Sequence, residues 1–271
     1  MRIDLHNHTN FSDGLFTPEE LVLIAKKQGV DVFALTDHDS VFGCERVLKA
    51  AQQQGIHVVL GMELSTDFKG HSVHIVCLFP NNVVPKELIR FSNQKKEERK
   101  TRAILMMKRI EEIYHVKIDI DELLQENEVI TRANMGYHIA KHNGISQKDA
   151  EIYIDHKSKA YIPSTKLSVQ EGLKYVKALG CLAILAHPCL LPKEIVEELM
   201  SFEFDGIEIR YPKNQTGDED YFRTLAEQHH LLISAGSDFH GDQGTKHAMI
   251  GTSVLTEEEF EPIRERLGLE W

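Results

Sequence analysis

The residues best suited to chemistry are histidines and carboxylates that follow, or lie within, short apolar stretches. His6 and His8 lie two residues apart near the start of the chain, and Asp13 follows in a turn marked by Ser12 and Gly14. Side chains two residues apart on a strand share a face, so these two imidazoles can bind one metal ion. A single His-x-His pair is weak evidence for a metal site, because histidines pair on strands for many reasons.

Other apolar stretches supply further side chains of the same kinds. The candidate ligands are His6, His8, Asp13, His38, Glu63, His74, His187, Asp238 and His240. For His74, inside an apolar stretch, a hydrogen-bonded core histidine is the alternative. A mixed set of imidazoles and carboxylates suits zinc, manganese or iron, whereas calcium and magnesium prefer oxygen ligands. The set is too large for one ion and predicts two or three divalent transition-metal ions (Mn, Fe or Zn), with a bridging carboxylate.

The elements that must position these residues alternate between apolar strands and amphipathic helices. Strands are predicted at residues 3–8, 30–36, 56–60, 72–79, 181–186, 206–210 and 231–236. Helices are predicted between them, with Thr17, Ser168 and Thr256 as N-caps. This alternation predicts an α/β fold with a parallel sheet and helices outside. Candidate ligands follow strand after strand. The active site of a β/α barrel lies at the C-terminal ends of its strands, so a barrel would bring these ligands together better than an open sheet.

Residues 85–163 interrupt the alternation and are richly charged. Apolar side chains at near-helical spacing predict a long amphipathic helix over residues 86–114. We therefore predict a β/α barrel from residues 1–84 and 164–271, and a helical insertion from residues 85–163, named the cap because it is expected to cover the substrate. Residues 95–109 hold seven basic and two acidic side chains. Such a run is usually a solvated helix face, and contact with a substrate phosphate is the alternative.

The composition argues against some partners and compartments. The 271 residues carry a net charge of −11, which argues against a broad basic face for duplex DNA. No apolar run approaches the roughly 20 residues needed to span a membrane, and no secretory signal is recognised, so we expect a cytoplasmic protein without a membrane partner. The cysteines are widely spaced and are expected to be reduced core residues. The oligomeric state stays open.

The motifs around the candidate ligands are DLHNHTNFSDG, ALTDHD, GMELS, SVHIV, ILAHP and SAGSDFHG. With these motifs in this order, the chain resembles stand-alone members of the polymerase and histidinol phosphatase (PHP) family of metal-dependent phosphoesterases. The resemblance implies a distorted seven-stranded β/α barrel with a trinuclear metal site. It implies one ion held by His6, His8, Glu63 and Asp238, a second held by Glu63, His74 and His187, and a third held by Asp13, His38 and His240.

The resemblance also indicates where substrate binds. Family members that act on nucleotide phosphates have an arginine in a TRA-type motif of the insertion that contacts phosphate, and Arg132 in the sequence ITRA matches it. Many relatives carry a histidine two positions later, where this chain has Asn134. The expected substrate contacts are Arg132, Asn134, Arg99, Arg102 and His138.

Together with the resemblance, these residues predict hydrolysis of a phosphomonoester by metal-activated hydroxide. Arg132 would stabilise charge on the phosphoryl oxygens, and His240 or a water on the third ion would protonate the leaving oxygen. The expected substrate is a small nucleotide, such as a nucleoside 3',5'-bisphosphate, or the 5' end of a short phosphorylated RNA. The alternatives are a histidinol phosphatase, amide hydrolysis on a related barrel, and a non-catalytic metal-binding or polymerase-accessory module.

Three polar residues near these motifs have two interpretations each. Asp37 could orient an imidazole or cap a turn. Glu208 and Arg210 lie two apart on a predicted strand, so they could both face the site or form a salt bridge elsewhere.

Overall fold

One curved sheet forms the centre of the protein. The structure, a computed structural model, describes residues 1–126, 130–241 and 248–271. The strands in these residues are β1 (Ile3–Asp4), β2 (Val32–Leu35), β3 (His57–Phe68), β4 (His71–Leu78), β5 (Leu167–Ser168), β6 (Leu182–Leu185), β7 (Gly206–Arg210) and β8 (Leu232–Ala235).

The sheet closes on itself into a barrel. Its order is β1-β2-β3-β4-β6-β7-β8, with the short β5 paired to β3. The last strand returns to the first, because the N–H of Leu5 donates to the carbonyl of Ala235 at 2.9 Å and the N–H of Asp238 donates to the carbonyl of His6 at 2.9 Å. The predicted barrel of seven strands is therefore confirmed.

Strand β4 departs from the expected all-parallel sheet. It is antiparallel to both of its neighbours, β3 and β6, whereas the other neighbours along the barrel are parallel. The cause is a two-residue turn at Lys69 and Gly70, whose φ angles of 53° and 82° are both positive. This turn geometry joins antiparallel strands in a hairpin, whereas a parallel pair needs a much longer crossover.

Strand β3 is also longer than predicted. The prediction placed Glu63 just beyond the end of the strand, but pairing with β4 continues to Phe68, so Glu63 lies inside β3. Gly61 permits the close approach of the two backbones, because a Cβ there would lie 2.8 Å from the carbonyl oxygen of Cys77 on β4.

Helices cover the outside of the barrel. They are α1 (Pro18–Lys27), α2 (Cys44–Gln54), α7 (Val169–Ala178), α8 (Lys193–Leu199), α9 (Asp218–Gln228) and α10 (Glu257–Leu267). The predicted caps are confirmed, since the hydroxyls of Thr17, Ser168 and Thr256 each accept a hydrogen bond from the N–H three residues later. None of the helices in the described ranges has the length and apolarity to cross a membrane.

The described part of the cap is built from α3 (Lys86–Tyr114), α4 (Ile120–Glu126), α5 (Arg132–Asn143) and α6 (Gln147–Ile154). Helix α3 has the predicted bounds. Its first turns pack on the barrel, where Leu88 belongs to the barrel core. Further along α3, Met106 and Ile110 pack with Met135 and Ile139 in a separate core of the cap. Helix α3 therefore runs from the barrel into the cap without a break.

Candidate active site

The nine candidate ligands lie together at one end of the barrel, named the mouth. Most of them follow the C-terminal ends of parallel strands, which all point to that end. These ligands are His6 and His8 after β1, His38 after β2, His187 after β6, and Asp238 and His240 after β8. Strand β4 runs the other way, so a residue near its beginning reaches the mouth, and His74 is such a residue.

The opening histidines are placed by pairing with the last strand. Strand β1 ends at Asp4, not at residue 8 as predicted. The backbone nevertheless continues beside the chain after β8, since Asn7 pairs in parallel with Phe239. The rings of His6 and His8 lie 5.1 Å apart between their centres, so both face the mouth.

Glu63 lies at the centre of the mouth and is fully buried. Its Oε2 lies 2.8 to 3.3 Å from ring nitrogens of His6, His8 and His38. Its Oε1 lies 2.9 Å from Nδ1 of His74 and 3.0 Å from Nε2 of His187. The two oxygens of one carboxylate thus face different histidines, which is the arrangement needed to bridge two metal ions.

Asp238 faces the opening histidines from the last strand. Its Oδ1 lies 3.2 Å from Nε2 of His8 and 3.6 Å from Nε2 of His6. Its Oδ2 accepts a hydrogen bond from the hydroxyl of Tyr211 at 2.9 Å. Tyr211 therefore orients the carboxylate. Sequence reasoning missed Tyr211, because a single tyrosine after a strand has no ligand spacing that would identify it.

Asp13, His38 and His240 form the outer part of the mouth. Oδ1 of Asp13 lies 3.0 Å from Nε2 of His240, and its Oδ2 lies 3.7 Å from Nε2 of His38. Nδ1 of His8 lies 3.9 Å from Oδ1 of Asp13. His8 therefore lies between the inner and outer carboxylates of the mouth.

The polar atoms of the mouth fit bound metal ions. Nε2 of His6, Nε2 of His8 and Oε2 of Glu63 are buried without a hydrogen-bond partner, although buried polar atoms normally have one. These atoms face one another instead. Nitrogen and carboxylate donors that converge in this way suit a transition-metal ion.

The possible ligand atoms form three groups, in each of which all atoms lie within 4.8 Å of one another. The groups are His6, His8, Glu63 and Asp238; His8, Asp13, His38 and His240; and His38, Glu63 and His74. The first matches one ion of the assignment implied by the resemblance. The second contains the three ligands implied for another ion. His187 lies outside the groups, although it contacts Glu63, so three ions remain a proposal.

Carboxylates and histidines perturb one another strongly in the mouth. Burial alone would lower the pKa of His38, but Glu63 and Asp13 outweigh it and raise the pKa to about 9. Burial also opposes the charged form of His240, yet Asp13 and Asp238 raise its pKa to about 9. Without metal, both histidines therefore carry a proton at neutral pH, and a bound ion would have to displace it.

Glu208 on β7 supports two of the histidines. Its Oε1 lies 3.3 Å from Nδ1 of His6, and its Oε2 accepts a hydrogen bond from the backbone N–H of His187 at 2.6 Å. His187 has a φ of 30°, a strained value of the kind that concentrates at functional sites. A Cβ at Gly236 would lie 2.6 Å from Oε1 of Glu208, so the glycine makes room for this carboxylate. Glu208 therefore faces the site, which was the first of the two interpretations of its position in the sequence.

Asp37 and Arg210 have structural partners. Asp37 accepts hydrogen bonds from the N–H and the hydroxyl of Thr9 at 2.7 and 2.6 Å, and from the hydroxyl of Ser12 at 2.7 Å. These bonds anchor the loop that carries Asp13. Arg210 turns away from the mouth and forms ion pairs with two glutamates of the helical layer.

A cavity of about 1180 Å³ lies between the mouth and the cap. Asp13 and His240 line it on the barrel side, and Arg99, Arg102 and Arg132 line it on the cap side. Typical small-molecule sites measure about 300 to 1,000 Å³. The cavity therefore has room for a ligand the size of a nucleotide, and both candidate metal ligands and guanidinium groups line it.

The three arginines of the cavity differ in how they are held. Arg99 forms an ion pair with Asp39 at 2.6 Å, and Arg102 donates to the carbonyl of Ile162 at 2.6 Å. Arg132 is exposed on the first turn of α5, and no hydrogen bond or ion pair joins it to another described residue. Arg132 is therefore the arginine most available to a phosphate.

Asn134 and His138 are not brought to the wall of the cavity. Oδ1 of Asn134 accepts hydrogen bonds from the N–H and the hydroxyl of Thr131 at 2.8 and 2.6 Å, which caps α5. His138 is 1% exposed inside the cap, where its Nε2 accepts a hydrogen bond from the N–H of Asp119 at 3.1 Å. The structure therefore does not support the expected substrate contacts of these two residues.

A further group of metal-binding side-chain types lies in the cap. Possible ligand atoms of Glu122, His138 and His142 lie within 4.8 Å of one another. Lys141 forms an ion pair with Glu122 at 2.7 Å, and its charge repels a cation. Nε2 of His138 already accepts a hydrogen bond from the N–H of Asp119. For these two reasons we place no ion there.

Comparison with known proteins points to one family. The PHP domain model matches residues 4–167. A 5'-3' exoribonuclease from Haemophilus influenzae is 29% identical over 88% of this chain and 90% of its own length. A 3',5'-nucleoside bisphosphate phosphatase from Chromobacterium violaceum is 28% identical over 88% of this chain and 87% of its own length. A phosphoribosyl 1,2-cyclic phosphate 1,2-diphosphodiesterase from Eggerthella lenta is 26% identical over 89% of this chain and 95% of its own length.

A solved structure resembles the whole fold. A protein from Bifidobacterium adolescentis, provisionally described as a metal-dependent phosphoesterase, is similar over 97% of this chain and 96% of its own chain, with a TM-score of 0.84 and 26% identity. The similarity therefore covers the cap as well as the barrel.

Proposed function

Since the chain belongs to the PHP domain family and is a metal-dependent phosphoesterase, we propose that it hydrolyses a phosphate ester of a small phosphorylated nucleotide. The substrate is a nucleoside 3',5'-bisphosphate or the 5' end of a short phosphorylated RNA. The metal centre holds two or three divalent transition-metal ions, Mn, Fe or Zn.

The cavity between the mouth and the cap carries this proposal. It is lined by Arg132, which has no partner among the described residues, and by the candidate metal ligands Asp13 and His240. A substrate with two neighbouring phosphates can present one to the mouth and the other to Arg132. Guanidinium groups bind phosphate through paired charge-assisted hydrogen bonds, so Arg132 favours such a substrate over one with a single phosphate.

Each part of the site has a separate task in this proposal. Bound ions would lower the pKa of a coordinated water to roughly 7 and supply hydroxide at neutral pH. Glu63 and Asp238 would bind the ions together with the histidines, Glu63 through both of its oxygens. Arg132 binds phosphate and stabilises negative charge on its oxygens. Burial of Glu63 and Asp238 limits access of bulk water to the inner part of the mouth.

His240 has two possible tasks that exclude each other. It lines the cavity and, in the metal-free chain, has a pKa of about 9, so it can hold a proton for the leaving oxygen. A neutral His240 that binds an ion through Nε2 cannot also donate a proton from that atom. Variant His240→Gln separates the two tasks, since a lost ion indicates a ligand and a full set of ions with a lower kcat indicates a proton donor.

The lining of the cavity allows the candidate substrates and the alternative functions to be ranked. The exoribonuclease and the bisphosphate phosphatase, by their names, act on RNA and on a nucleotide with two phosphates. Histidinol phosphate has one phosphate and would leave Arg132 without an anion, so it ranks lower. A non-catalytic module ranks lowest, because all nine candidate ligands are present at the mouth.

A substrate panel tests the proposal. The purified protein, loaded with Mn²⁺, is given a nucleoside 3',5'-bisphosphate, a short 5'-phosphorylated RNA, a nucleoside monophosphate and histidinol phosphate, and released phosphate and nucleotides are measured. We expect kcat/KM for the bisphosphate or the RNA to exceed that for histidinol phosphate by at least about tenfold, the value of one charge-assisted hydrogen bond. A preference for histidinol phosphate would reverse the ranking.

A further inference from the structure

Two cations associated with the cap reach barrel residues beside metal-binding histidines. Arg99 on α3 forms an ion pair with Asp39 at 2.6 Å, and Asp39 directly follows His38. Lys166 lies where the chain returns from the cap to β5, and its ammonium group donates to the hydroxyl oxygen of Ser72 at 2.6 Å. Helix α3 and the segment that follows the cap are thus each tied to the mouth.

Ser72 connects Lys166 to a metal-binding histidine. Its Oγ lies 3.0 Å from Nε2 of His74, and Nδ1 of His74 lies 2.9 Å from Oε1 of Glu63. A hydroxyl oxygen has two lone pairs, so Ser72 can accept one hydrogen bond from Lys166 and one from the Nε2–H of His74. This tautomer leaves Nδ1 of His74 without a proton toward Glu63, which is the form that binds a metal ion.

Asp39 connects Arg99 to the other histidine. Its Oδ2 binds Arg99, and its Oδ1 accepts a hydrogen bond from the N–H of Ser65 at 2.8 Å. Asp39 is buried and has a φ of 52°, a conformation that other contacts must hold in place. Because His38 precedes this residue, the two contacts fix the turn from which the His38 ring projects.

The two histidines reached in this way belong to the same ligand group. His38, Glu63 and His74 have ligand atoms within 4.8 Å of one another. We propose that Arg99 and Lys166 are positioning residues for this group, so that docking of the cap on the barrel sets the affinity for the ion that the group holds. The inference rests on the metal centre of the proposed function and does not depend on which phosphate ester is cleaved.

Metal titration of single variants tests the inference. Wild type, Lys166→Ala, Ser72→Ala and Arg99→Ala are equilibrated with buffered free Mn²⁺, and bound Mn²⁺ per chain is measured. We expect each variant to raise the dissociation constant of one ion by about 10- to 100-fold, the usual cost of removing a group that orients a ligand. The remaining ions should bind as in wild type.

Lys95→Ala is the matched control. Lys95 of α3 lines the same cavity as Lys166, but its ammonium group contacts Glu98 and the carbonyl of Thr165 and not Asp39 or Ser72. We expect Lys95→Ala to bind Mn²⁺ as wild type does. Lys166→Arg keeps a donor at the same position and should restore most of the affinity that Lys166→Ala loses.

A double variant shows whether Lys166 acts through Ser72. If it does, adding Lys166→Ala to Ser72→Ala should change Mn²⁺ affinity by less than about twofold, because coupled residues are not additive. Ser72 is exposed, so Ser72→Ala is expected to fold. If Lys166→Ala does not fold, the Mn²⁺ affinity of Ser72→Ala alone tests the connection to His74.

The competing view is that Arg99 and Lys166 only bind substrate phosphate. In that case KM would rise while the Mn²⁺ binding curves stayed at wild type, and this result would overturn the inference. If wild type binds its ions but cleaves no member of the substrate panel, the proposed function fails and the metal titrations still decide the inference.

Discussion

The mouth of the barrel and the wall of the cap face one cavity but are built differently. In the mouth, Glu63 is fully buried, and its oxygens lie 2.8 to 3.3 Å from nitrogens of five histidines. In the cap, Arg132 is exposed and has no partner among the described residues. The side chains of the mouth are thus preorganised before any ligand binds. In the cap, by contrast, Arg132 gains an ion-pair partner only when an anion binds.

This difference separates the reaction from the choice of substrate. The side chains of the mouth fit metal ions and the activation of water, a task that is the same for any phosphate ester. The side chains of the cap meet the rest of the substrate. We therefore expect variants in the mouth to change metal content and kcat, and variants of cap residues that do not contact the barrel, such as Arg132, to change KM.

The largest effect should come from the centre of the mouth. Glu63→Gln removes the negative charge that faces five histidines, so we expect most of the bound metal to be lost. Activity should fall more than about a hundredfold, because groups that only support ligands already cost about 10- to 100-fold. Metal analysis and phosphate release measure the two effects. The exposed Glu258→Gln is the control, and a wild-type metal content in Glu63→Gln would contradict the bridging role.

A large effect of a different kind is expected in the cap. Arg132→Ala should raise KM for a nucleoside bisphosphate by about 10- to 100-fold, which corresponds to the loss of one or two charge-assisted hydrogen bonds. Metal content should stay at the wild-type value. Arg90→Ala, an exposed arginine of α3 outside the cavity, should leave KM unchanged. Loss of metal from Arg132→Ala would remove the distinction between the two regions.

A smaller effect should follow from the group that orients Asp238. Tyr211→Phe keeps the buried ring and removes the hydroxyl that donates to Oδ2 of Asp238 at 2.9 Å. We expect Mn²⁺ affinity to fall by about tenfold, at the lower end of the cost of such supporting groups, with little change in the thermal midpoint. Unchanged Mn²⁺ binding would show that Asp238 is oriented without Tyr211.

The last expected effect is a pH dependence of metal binding that is confined to the mouth. In the metal-free chain the carboxylates raise the pKa of His38 and of His240 to about 9. Both rings are therefore protonated at pH 7, and metal must displace their protons. Mn²⁺ affinity should rise from pH 7 toward pH 9, by up to about tenfold per pH unit for each displaced proton. Calorimetry in buffers of different ionisation enthalpy counts the protons. Arg132→Ala should show the same slope, and a flat profile in wild type would contradict these pKa values.

The barrel and its ligands could be predicted because their signals are local. Apolar stretches that end in His, Asp or Glu identify both the strands and the residues that project from their ends. Capping boxes at Thr17, Ser168 and Thr256 mark helix starts within four residues. The structure places all nine candidate ligands at one end of the barrel, as the barrel interpretation required, and their binding of metal stays a prediction.

Other features depend on contacts between distant parts of the chain. The direction of β4 follows from a Lys-Gly turn that lacks the strong Asn-Gly or Asp-Gly signature of a hairpin. Tyr211 and Glu208 act through residues more than 20 positions away in sequence. His138 lies inside the cap because packing, not sequence spacing, decides which face of α5 is covered. Arg99 could be identified as basic, but its partner Asp39 is 60 residues away.

The unbroken course of α3 affects how chimeric enzymes could be made. At 1.5 Å per residue, its 29 residues span about 44 Å. Leu88 belongs to the core of the barrel, whereas the residues from Ala103 onward belong to the core of the cap. A graft that began at residue 85 would take part of the host's core with it, whereas a crossover within residues 93–102 would leave both cores whole. A donor cap joined before residue 99 must bring its own arginine to meet Asp39, whereas a crossover after residue 99 keeps Arg99 of the host.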